Sequence, residues 1–268
     1  MPINAIRRKE VFEMMPEGVV ATRAWLMEKG LSRHAIDNLV KSRQLESISK
    51  GIYIRGTSKI TWQSIVYTLQ AFLKLDLVIG GLTALEMQGF SHYLSLSKKK
   101  VIHLFGNDKM PGWVNQLIPD ITFIWHSDHD LLGGRSTRKP INFNGSNLLR
   151  SFTVERDWKE NVGNLILSSP ERAYLEMLLD VPQKVSFEHA DQMMQGLTTL
   201  SPRSLQELLE LCQNIKVRRL FFWLADRHNY NWLTKINPNN IDMGSGNRML
   251  IKGGRLNKKY KITVPQSL

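Results

Sequence analysis

The sequence has little of several residue types, and each shortage excludes a class of protein. A single cysteine in 268 residues, Cys212, excludes a disulfide framework and a multi-thiolate zinc site, and it suits a reducing compartment. Ten prolines and 18 glycines, beside 42% hydrophobic residues, are too few for a disordered or collagen-like chain. No apolar run approaches the roughly 18 residues of a membrane span, and the first 15 residues lack the apolar segment of a secretory signal. We therefore expect a soluble cytoplasmic protein that does not bind membranes.

Acidic residues are also scarce compared with basic ones. The chain has 36 lysines and arginines against 24 aspartates and glutamates, which gives a formal net charge of +12 and a pI of about 9.8. A charge of this sign favours an anionic partner, of which nucleic acid is the first candidate, although it says nothing about the fold.

The first part of the chain has the element order of a winged helix-turn-helix. Thr22 and Ser32 are good N-caps for a second and a third helix, and Gly30 between them suits the end of the second. Two extended runs follow, Leu45–Ile48 and Ile52–Arg55, joined by a tight turn that contains a glycine. Three helices and a terminal hairpin, with a short turn between the second and third helix, are typical of this DNA-binding fold.

From about residue 60 onward, the sequence mixes amphipathic helices with apolar strands. Extended runs rich in β-branched and aromatic residues occur at Val101–Phe105, Ile121–Trp125 and Asn164–Leu167. Ser169 and Pro170 are the residue types expected at the N-cap and first position of a helix. Further helices are predicted near Phe187–Met194, Pro202–Cys212 and Val217–Asp226.

These patterns together predict the fold class and the domain organisation. The protein is expected to be α+β, with a winged helix-turn-helix over residues 1–58 and a larger mixed α/β domain over residues 59–268. A generic three-helix cap on the larger domain is the alternative for the first part.

The third predicted helix has an apolar face, formed by Ala35, Ile36, Leu39 and Val40, and a polar face that suits DNA. If this helix lies in a major groove, Arg33 can bond guanine, Asn38 can bond adenine, and His34 can bond either base. Asp37 on the same face is unfavourable for DNA unless it pairs with Arg33 or contacts cytosine, and an ordinary solvated face is the alternative. With cations placed for phosphate, the predicted DNA-binding residues here are Arg23, Ser32, Arg33, His34, Asn38, Lys41, Arg43 and Lys50.

The C-terminal segment contains a second concentration of cations and no acidic residue. The runs Arg248–Lys252 and Lys258–Val264 are predicted to form a hairpin around a Gly-Gly turn. Strand alternation would place Lys259 and Lys261 on one face, and together with Lys258 they form a candidate phosphate-binding surface. A charged edge strand that prevents aggregation is an equally good interpretation.

One segment keeps a catalytic alternative open. Gly80-Gly81 precedes a predicted helix, and such a turn can hold phosphate on free backbone amides, as at the start of a nucleotidyltransferase motif. That chemistry also needs two metal-binding carboxylates a short way downstream, and none lies between Gly89 and Asn107. Asp128 and Asp130 have a suitable mutual spacing but come too late. We expect a structural strand-to-helix turn, and a nucleotide-using enzyme is the alternative.

The run His126-Ser127-Asp128-His129-Asp130 contains potential metal ligands. No other cluster of cysteine and histidine in the sequence completes a shell, and polar residues are common just past a strand end. Cys212 lies in a leucine-rich helix, and no nucleophile has a recognisable catalytic context. We therefore predict no metal, no cofactor and no catalytic residue.

Several longer motifs resemble those of one protein family. They are SKGIYIRG, VIGGLTALEMQGF, LILSSPERAYLEML and IDMGSGNRMLIKGGRLNKKYKITVP, of which SSPERA and the last motif are the most specific. On these motifs the sequence resembles the AbiEi antitoxin family, and the resemblance spans nearly the whole chain. This family is the transcriptional-regulator half of bacterial AbiE abortive-infection toxin–antitoxin systems.

The resemblance implies a function. It implies that the N-terminal winged helix binds inverted repeats in the promoter of its own operon and represses it, while the larger domain is linked to antitoxicity. The cognate toxin, AbiEii, is nucleotidyltransferase-like, and in a type IV system no stable complex with it is expected. We expect double-stranded DNA as the partner of a monomer or weak dimer that binds cooperatively. The choice of Arg33, His34, Asn38 and Lys41 rests on helical geometry, because recognition helices vary with the operator.

Overall fold

An N-terminal unit and a larger C-terminal region make up a mixed α+β protein. The computed structural model describes residues 5–56, 59–90, 99–132, 151–159 and 162–268. The predicted junction at residue 58 lies at an edge of these ranges, and residues 57–58 are outside the described residues.

The N-terminal unit, residues 5–56, has the order of elements that the sequence predicts. Its elements are α1 (Ala5–Met14), β1 (Val20–Thr22), α2 (Arg23–Glu28), α3 (Arg33–Lys41), β2 (Leu45–Ser49) and β3 (Ile52–Arg55). The strands form an antiparallel sheet in the order β1-β3-β2. Thr22 and Ser32 cap α2 and α3, since each hydroxyl accepts a 3.1 Å hydrogen bond from the backbone N–H three residues on. Gly30 and Gly51 have φ angles of 93° and 73°, as the two turns require.

The N-terminal unit has a hydrophobic core of its own. Ala35, Ile36 and Leu39 on the inner face of α3 are buried, as predicted from their spacing. They belong to one cluster with Leu26 of α2 and Tyr53 of β3. Burial of this face determines which side of α3 is left to face solvent.

The larger region consists of a mixed sheet with helices packed on it. In chain order its elements are α4 (Trp62–Tyr67), continued by a π-helical turn (Thr68–Phe72), β4 (Leu77–Ile79), α5 (Gly81–Met87), β5 (Lys100–Gly106), β6 (Ile121–Ser127), α6 (His129–Leu132), β7 (Thr153–Lys159), β8 (Gly163–Ser168), α7 (Pro170–Leu178), α8 (Phe187–Gly196), α9 (Pro202–Leu211), α10 (Ile215–Ala225), β9 (Arg255–Asn257) and β10 (Ile262–Val264). Short 3₁₀ turns occur at Val114–Gln116, Leu233–Lys235 and Pro238–Asn240. The strand order of the large sheet is β6-β5-β4-β8-β7, with β5 parallel to β6 and β4 parallel to β8.

The N-terminal unit packs on α4 and its π-helical continuation. The ring of Trp25 in α2 stacks on that of Phe72, with centroids 4.1 Å apart and planes 4° from parallel. The hydroxyl of Thr68 donates a 2.6 Å hydrogen bond to the carbonyl of Val20 in β1. Both contacts are between the unit and the element that follows it, so they hold the unit against the larger region.

Two features of the larger region differ from the sequence prediction. The strand β7 is not predicted, because it lies at the edge of the sheet and its side chains are mostly polar and exposed. The C-terminal hairpin is predicted wrongly: its strands are β9 and β10, and residues 258–261 form the turn between them. Gly253-Gly254 precedes β9, while Arg248 forms an isolated parallel bridge with Ile262.

Two helices lie at the centre of the larger region. Residues 171–178 of α7 and 217–225 of α10 are buried throughout, although these stretches include charged side chains. The guanidinium of Arg219, for example, donates hydrogen bonds to the carbonyls of Met243 at 2.6 Å and Gly246 at 2.8 Å. Buried charges are tolerated when their hydrogen-bonding capacity is used in this way. Within the described ranges, no helix has the length and apolar character that crossing a bilayer requires.

Candidate nucleic-acid interface

The outer face of α3 carries the side chains that are predicted from the sequence to contact bases. Because the inner face is buried, Arg33, His34, Asn38 and Lys41 are all exposed. The helix has nine residues, so it is about 13 Å long at 1.5 Å per residue. This length is comparable to the roughly 12 Å width of the DNA major groove.

Arg23, at the start of α2, is held against the hairpin of β2 and β3. Its Nε donates a 2.8 Å hydrogen bond to the hydroxyl of Tyr53, and its guanidinium lies 3.4 Å from the carboxylate of Asp37. Asp37 therefore pairs with Arg23 and not with Arg33, which was the partner suggested by helical spacing. Sequence reasoning missed Tyr53, because a tyrosine in a buried strand gives no sign of which cation its hydroxyl will meet.

The turn between β2 and β3 joins the same assembly. The backbone N–H of Arg23 donates a 2.8 Å hydrogen bond to the carbonyl of Gly51, next to the exposed Lys50. Arg43 is exposed where the chain leaves α3, in a left-handed conformation with a φ of 58°. Ser32 is exposed too, although its hydroxyl already caps α3. Direct contacts thus bring the start of α2, α3 and the hairpin turn together.

The C-terminal lysines lie in the turn between β9 and β10, not along a strand as predicted. Lys258, Lys259 and Lys261 are exposed there, whereas Tyr260 is buried and stacks on an aromatic ring of α10. Lys259 forms an ion pair with Asp226, and the hydrogen bond with this carboxylate raises the pKa of Lys259 to about 12. The predicted residues therefore form two groups, one in the N-terminal unit and one against α10.

The Gly80-Gly81 turn is filled by the protein's own side chains. The N–H of Gly81 donates a 2.8 Å hydrogen bond to Oε2 of Glu176, and the N–H of Gly80 donates one of 3.0 Å to the carbonyl of His103. A methyl group on Gly80 would lie 2.4 Å from both the Glu176 carboxylate and the ring of Phe105. A carboxylate of the chain itself occupies the start of α5, where a nucleotide phosphate would have to bind. This geometry favours the structural turn over the nucleotide site.

The polar run at the end of β6 divides between two sets of partners. Asp128 is buried and pairs with Arg172 at 2.9 Å; burial raises the pKa of Asp128 although the arginine opposes the shift. His126 lies 3.0 Å from His103, and both rings face the carboxylate of Asp180. Sequence reasoning did not connect these last three residues, because they come from two strands and a turn that are distant in the chain.

Comparison with known families identifies the class of protein. A family model described as a transcriptional regulator, AbiEi antitoxin N-terminal domain, matches residues 4–96. A second, described as a transcriptional regulator, AbiEi antitoxin of a type IV toxin–antitoxin system, matches residues 98–265. The chain belongs to the AbiEi family of antitoxin transcriptional regulators, as its motifs predict.

One solved structure shows the same fold. The crystal structure of the RV2827C protein from Mycobacterium tuberculosis aligns with a TM-score of 0.55 over 96% of this chain and 87% of that chain. The two sequences are 14% identical, so the likeness concerns the fold alone. No curated protein matches the chain significantly.

Proposed function

We propose that this protein binds inverted repeats in the promoter of its own operon through an N-terminal winged helix-turn-helix and thereby represses transcription. The proposal makes the regulatory role of the AbiEi family specific for this chain. Residues 1–58 are assigned to DNA binding and residues 59–268 to antitoxicity. The protein acts in the cytoplasm, with no catalytic activity of its own.

The observation that carries the proposal is the exposed polar face of α3. Arg33 and Asn38 have the donor and acceptor geometry for bidentate contacts with guanine and adenine, and His34 lies beside them. Asp37 would repel a phosphate backbone, but its ion pair with Arg23 offsets that charge. The face can therefore approach DNA closely.

Phosphate contacts are assigned to the cations around this face. Lys41, Arg43 and Lys50 are exposed at the end of α3 and at the hairpin turn. Lys258 and Lys261 offer a second cationic surface in the C-terminal turn, where Lys259 is already neutralised by an acidic partner. A net charge of +12 supports attraction to DNA over a longer range.

The inverted repeat proposed as the operator has two-fold symmetry, which suggests how many copies of the protein bind it. Two copies of the protein, as monomers or a weak dimer, bind the two arms of an inverted repeat and do so cooperatively. The counterpart in the system is a nucleotidyltransferase-like toxin of the AbiEii type, with which the protein forms no stable complex.

The test is a footprint of the full chain on the DNA upstream of its own gene, at several salt concentrations. We expect protection of an inverted repeat, with an affinity that falls steeply as salt rises because counterions are released. Random DNA of equal length is the competitor. Equal affinity for the upstream region and for random DNA would contradict the proposal.

A further inference from the structure

Three potential metal ligands converge outside the N-terminal unit. The parallel strands β5 and β6 pair Phe105 with His126, so His103, two residues before Phe105, lies on the same face of the sheet as His126. The rings of His103 and His126 are stacked, with centroids 5.2 Å apart. Asp180, in the turn after α7, faces both rings.

The separations of the three ligand atoms match a metal ion at their centre. Nδ1 of His103 lies 3.0 Å from Nε2 of His126, and these nitrogens lie 3.8 and 4.0 Å from Oδ2 of Asp180. The point in the plane of the three atoms that is equidistant from them is about 2.1 Å from each, which agrees with Zn–N distances of about 2.0–2.1 Å and Zn–O distances of about 2.0–2.2 Å. Oδ2 of Asp180 is too distant from either ring nitrogen for a hydrogen bond.

The surroundings hold each ligand in place. The ring of Phe105 stacks on that of His126, with centroids 4.3 Å apart and planes 6° from parallel. The ammonium of Lys184 lies 3.1 Å from Oδ1 of Asp180 and leaves Oδ2 to the histidines. Lys216 donates hydrogen bonds of 2.6 and 2.8 Å to the carbonyls on either side of Asp180, which fixes the turn. Outer contacts of this kind orient the ligands of protein metal sites.

The two facing imidazole nitrogens also contact each other. Nδ1 of His103 and Nε2 of His126 are 3.0 Å apart and share a hydrogen bond, so one of them carries a proton that a bound metal ion would displace. The three side chains are only 9–12% exposed, so most of the surface of the cluster is enclosed by protein.

We infer that His103, His126 and Asp180 bind a divalent transition-metal ion. Two imidazoles and one carboxylate suit Zn²⁺ better than Ca²⁺ or Mg²⁺, which prefer oxygen ligands alone. The three residues supply three ligands in one plane with the ion, and a small movement of the side chains toward one side of that plane gives a tetrahedral site with solvent as the fourth ligand. The bound ion joins β5 and β6 to the end of α7. This inference does not depend on the proposed binding of DNA.

The experiment is a calorimetric titration of the metal-free full chain with ZnCl₂, followed by dialysis and a count of bound zinc per chain. One Zn²⁺ per chain is expected. His126→Ala and Asp180→Asn should each weaken the affinity at least about tenfold. His189→Ala is the matched control, because His189 lies on α8 and does not belong to this cluster. The control should bind zinc as the wild type does.

Two outcomes overturn the inference. One is a wild-type chain that binds no zinc, and the other is an affinity that neither His126→Ala nor Asp180→Asn changes. Asp180→Asn keeps the size of the side chain, so it answers the question even where His126→Ala does not fold. Titration with CoCl₂ adds a spectroscopic signature, since a tetrahedral Co²⁺ site absorbs visible light and this absorption should be lost in the two variants.

Discussion

The Nε atom of Arg23 donates a 2.8 Å hydrogen bond to the hydroxyl of Tyr53, and the same guanidinium reaches Asp37 on α3. Through these contacts one residue joins the start of α2, the strand β3 and the helix whose outer face is proposed to contact bases. Tyr53 is only 2% exposed, so it is a fixed point from which Arg23 is positioned. A residue chosen from the sequence as a DNA contact therefore also positions the helix beside it.

Replacing Tyr53 with phenylalanine tests this positioning role. The change removes one hydrogen-bonding group and keeps the ring, so we expect a loss of about 1 kcal/mol in the free energy of unfolding. We also expect weaker binding to operator DNA, because Arg23 and Asp37 lose their anchor. Urea denaturation and a gel mobility assay measure the two effects.

Tyr230→Phe is the control for this prediction. It removes a 2.8 Å hydrogen bond to the Gln195 carbonyl in the larger region, so stability should fall while DNA affinity stays unchanged. Unchanged DNA affinity in Tyr53→Phe would contradict the proposal that Tyr53 positions Arg23.

Arg33 and Lys50 should affect DNA binding differently. Arg33→Ala removes a proposed base contact, so the preference for operator over scrambled DNA should fall by about 1–3 kcal/mol. Lys50→Ala removes a proposed phosphate contact, so both DNAs should bind more weakly and the salt dependence should decrease by about one ion. Fluorescence anisotropy on the two duplexes over a salt series measures both quantities.

Arg203→Ala is the control for both variants, because this exposed arginine on α9 pairs with Glu207 in the larger region. Parallel behaviour of Arg33→Ala and Lys50→Ala would count against the assignment of distinct roles.

Glu176 should be among the most important residues for stability. Its carboxylate accepts hydrogen bonds from Nε of Arg172 at 2.6 Å, from the hydroxyl of Ser168 at 3.0 Å and from the N–H of Gly81 at 2.8 Å. In Glu176→Ala the ion pair of Arg172 with Asp128 remains, but the hydroxyl of Ser168 and the N–H of Gly81 lose their buried acceptor. Because each buried group left unsatisfied costs about 1–3 kcal/mol, the variant should lose about 3–5 kcal/mol in total. Urea denaturation followed by circular dichroism measures this loss.

The control for Glu176 is an exposed pair of the same spacing. Glu207 lies four residues after Arg203 on α9, with 3.2 Å between the charged groups and both side chains mostly exposed. Glu207→Ala should cost less than about 1 kcal/mol. A similar loss for both variants would mean that the buried network contributes little. Glu176→Gln, which keeps the shape of the side chain, serves if the alanine variant does not fold.

The thiol of Cys212 should be unreactive in the folded protein. The residue is fully buried, and burial raises the pKa of its thiol to about 11. At pH 8 roughly one thiol in a thousand is then ionised in the folded state, against a substantial fraction at an unfolded-state pKa of about 8.5. Labelling with a disulfide reagent should be slow in buffer and complete in urea. Rapid labelling of the native protein at the same pH would contradict the buried position.

The same shift predicts a dependence of stability on pH. An acid whose pKa is higher in the folded state keeps its contribution below the unfolded pKa and loses it as pH rises. The contribution of Cys212 should therefore be present below about pH 8.5 and decline towards pH 11. Comparing the slope of stability between pH 8 and 10 for the wild type and Cys212→Ala isolates this contribution, which the variant should lack.

The sequence by itself determined the local features of the protein and its family. Thr22 and Ser32 are recognisable caps, and the spacing of Ala35, Ile36 and Leu39 determines which face of α3 is buried, because caps and periodicity act within a few residues. Motifs spread along the chain were sufficient to predict the family, and the family-model matches over residues 4–96 and 98–265 confirm that prediction.

The tertiary structure alone decided which distant side chains meet. Nothing near Gly81 in the sequence indicates that Glu176 fills its turn, and nothing near His126 indicates His103 and Asp180 as neighbours. The C-terminal turn and the edge strand β7 escaped prediction for a related reason, since pairing partners rather than local propensity decide where such strands lie. Contacts of this kind depend on strand register and burial across the whole fold, which no local pattern encodes.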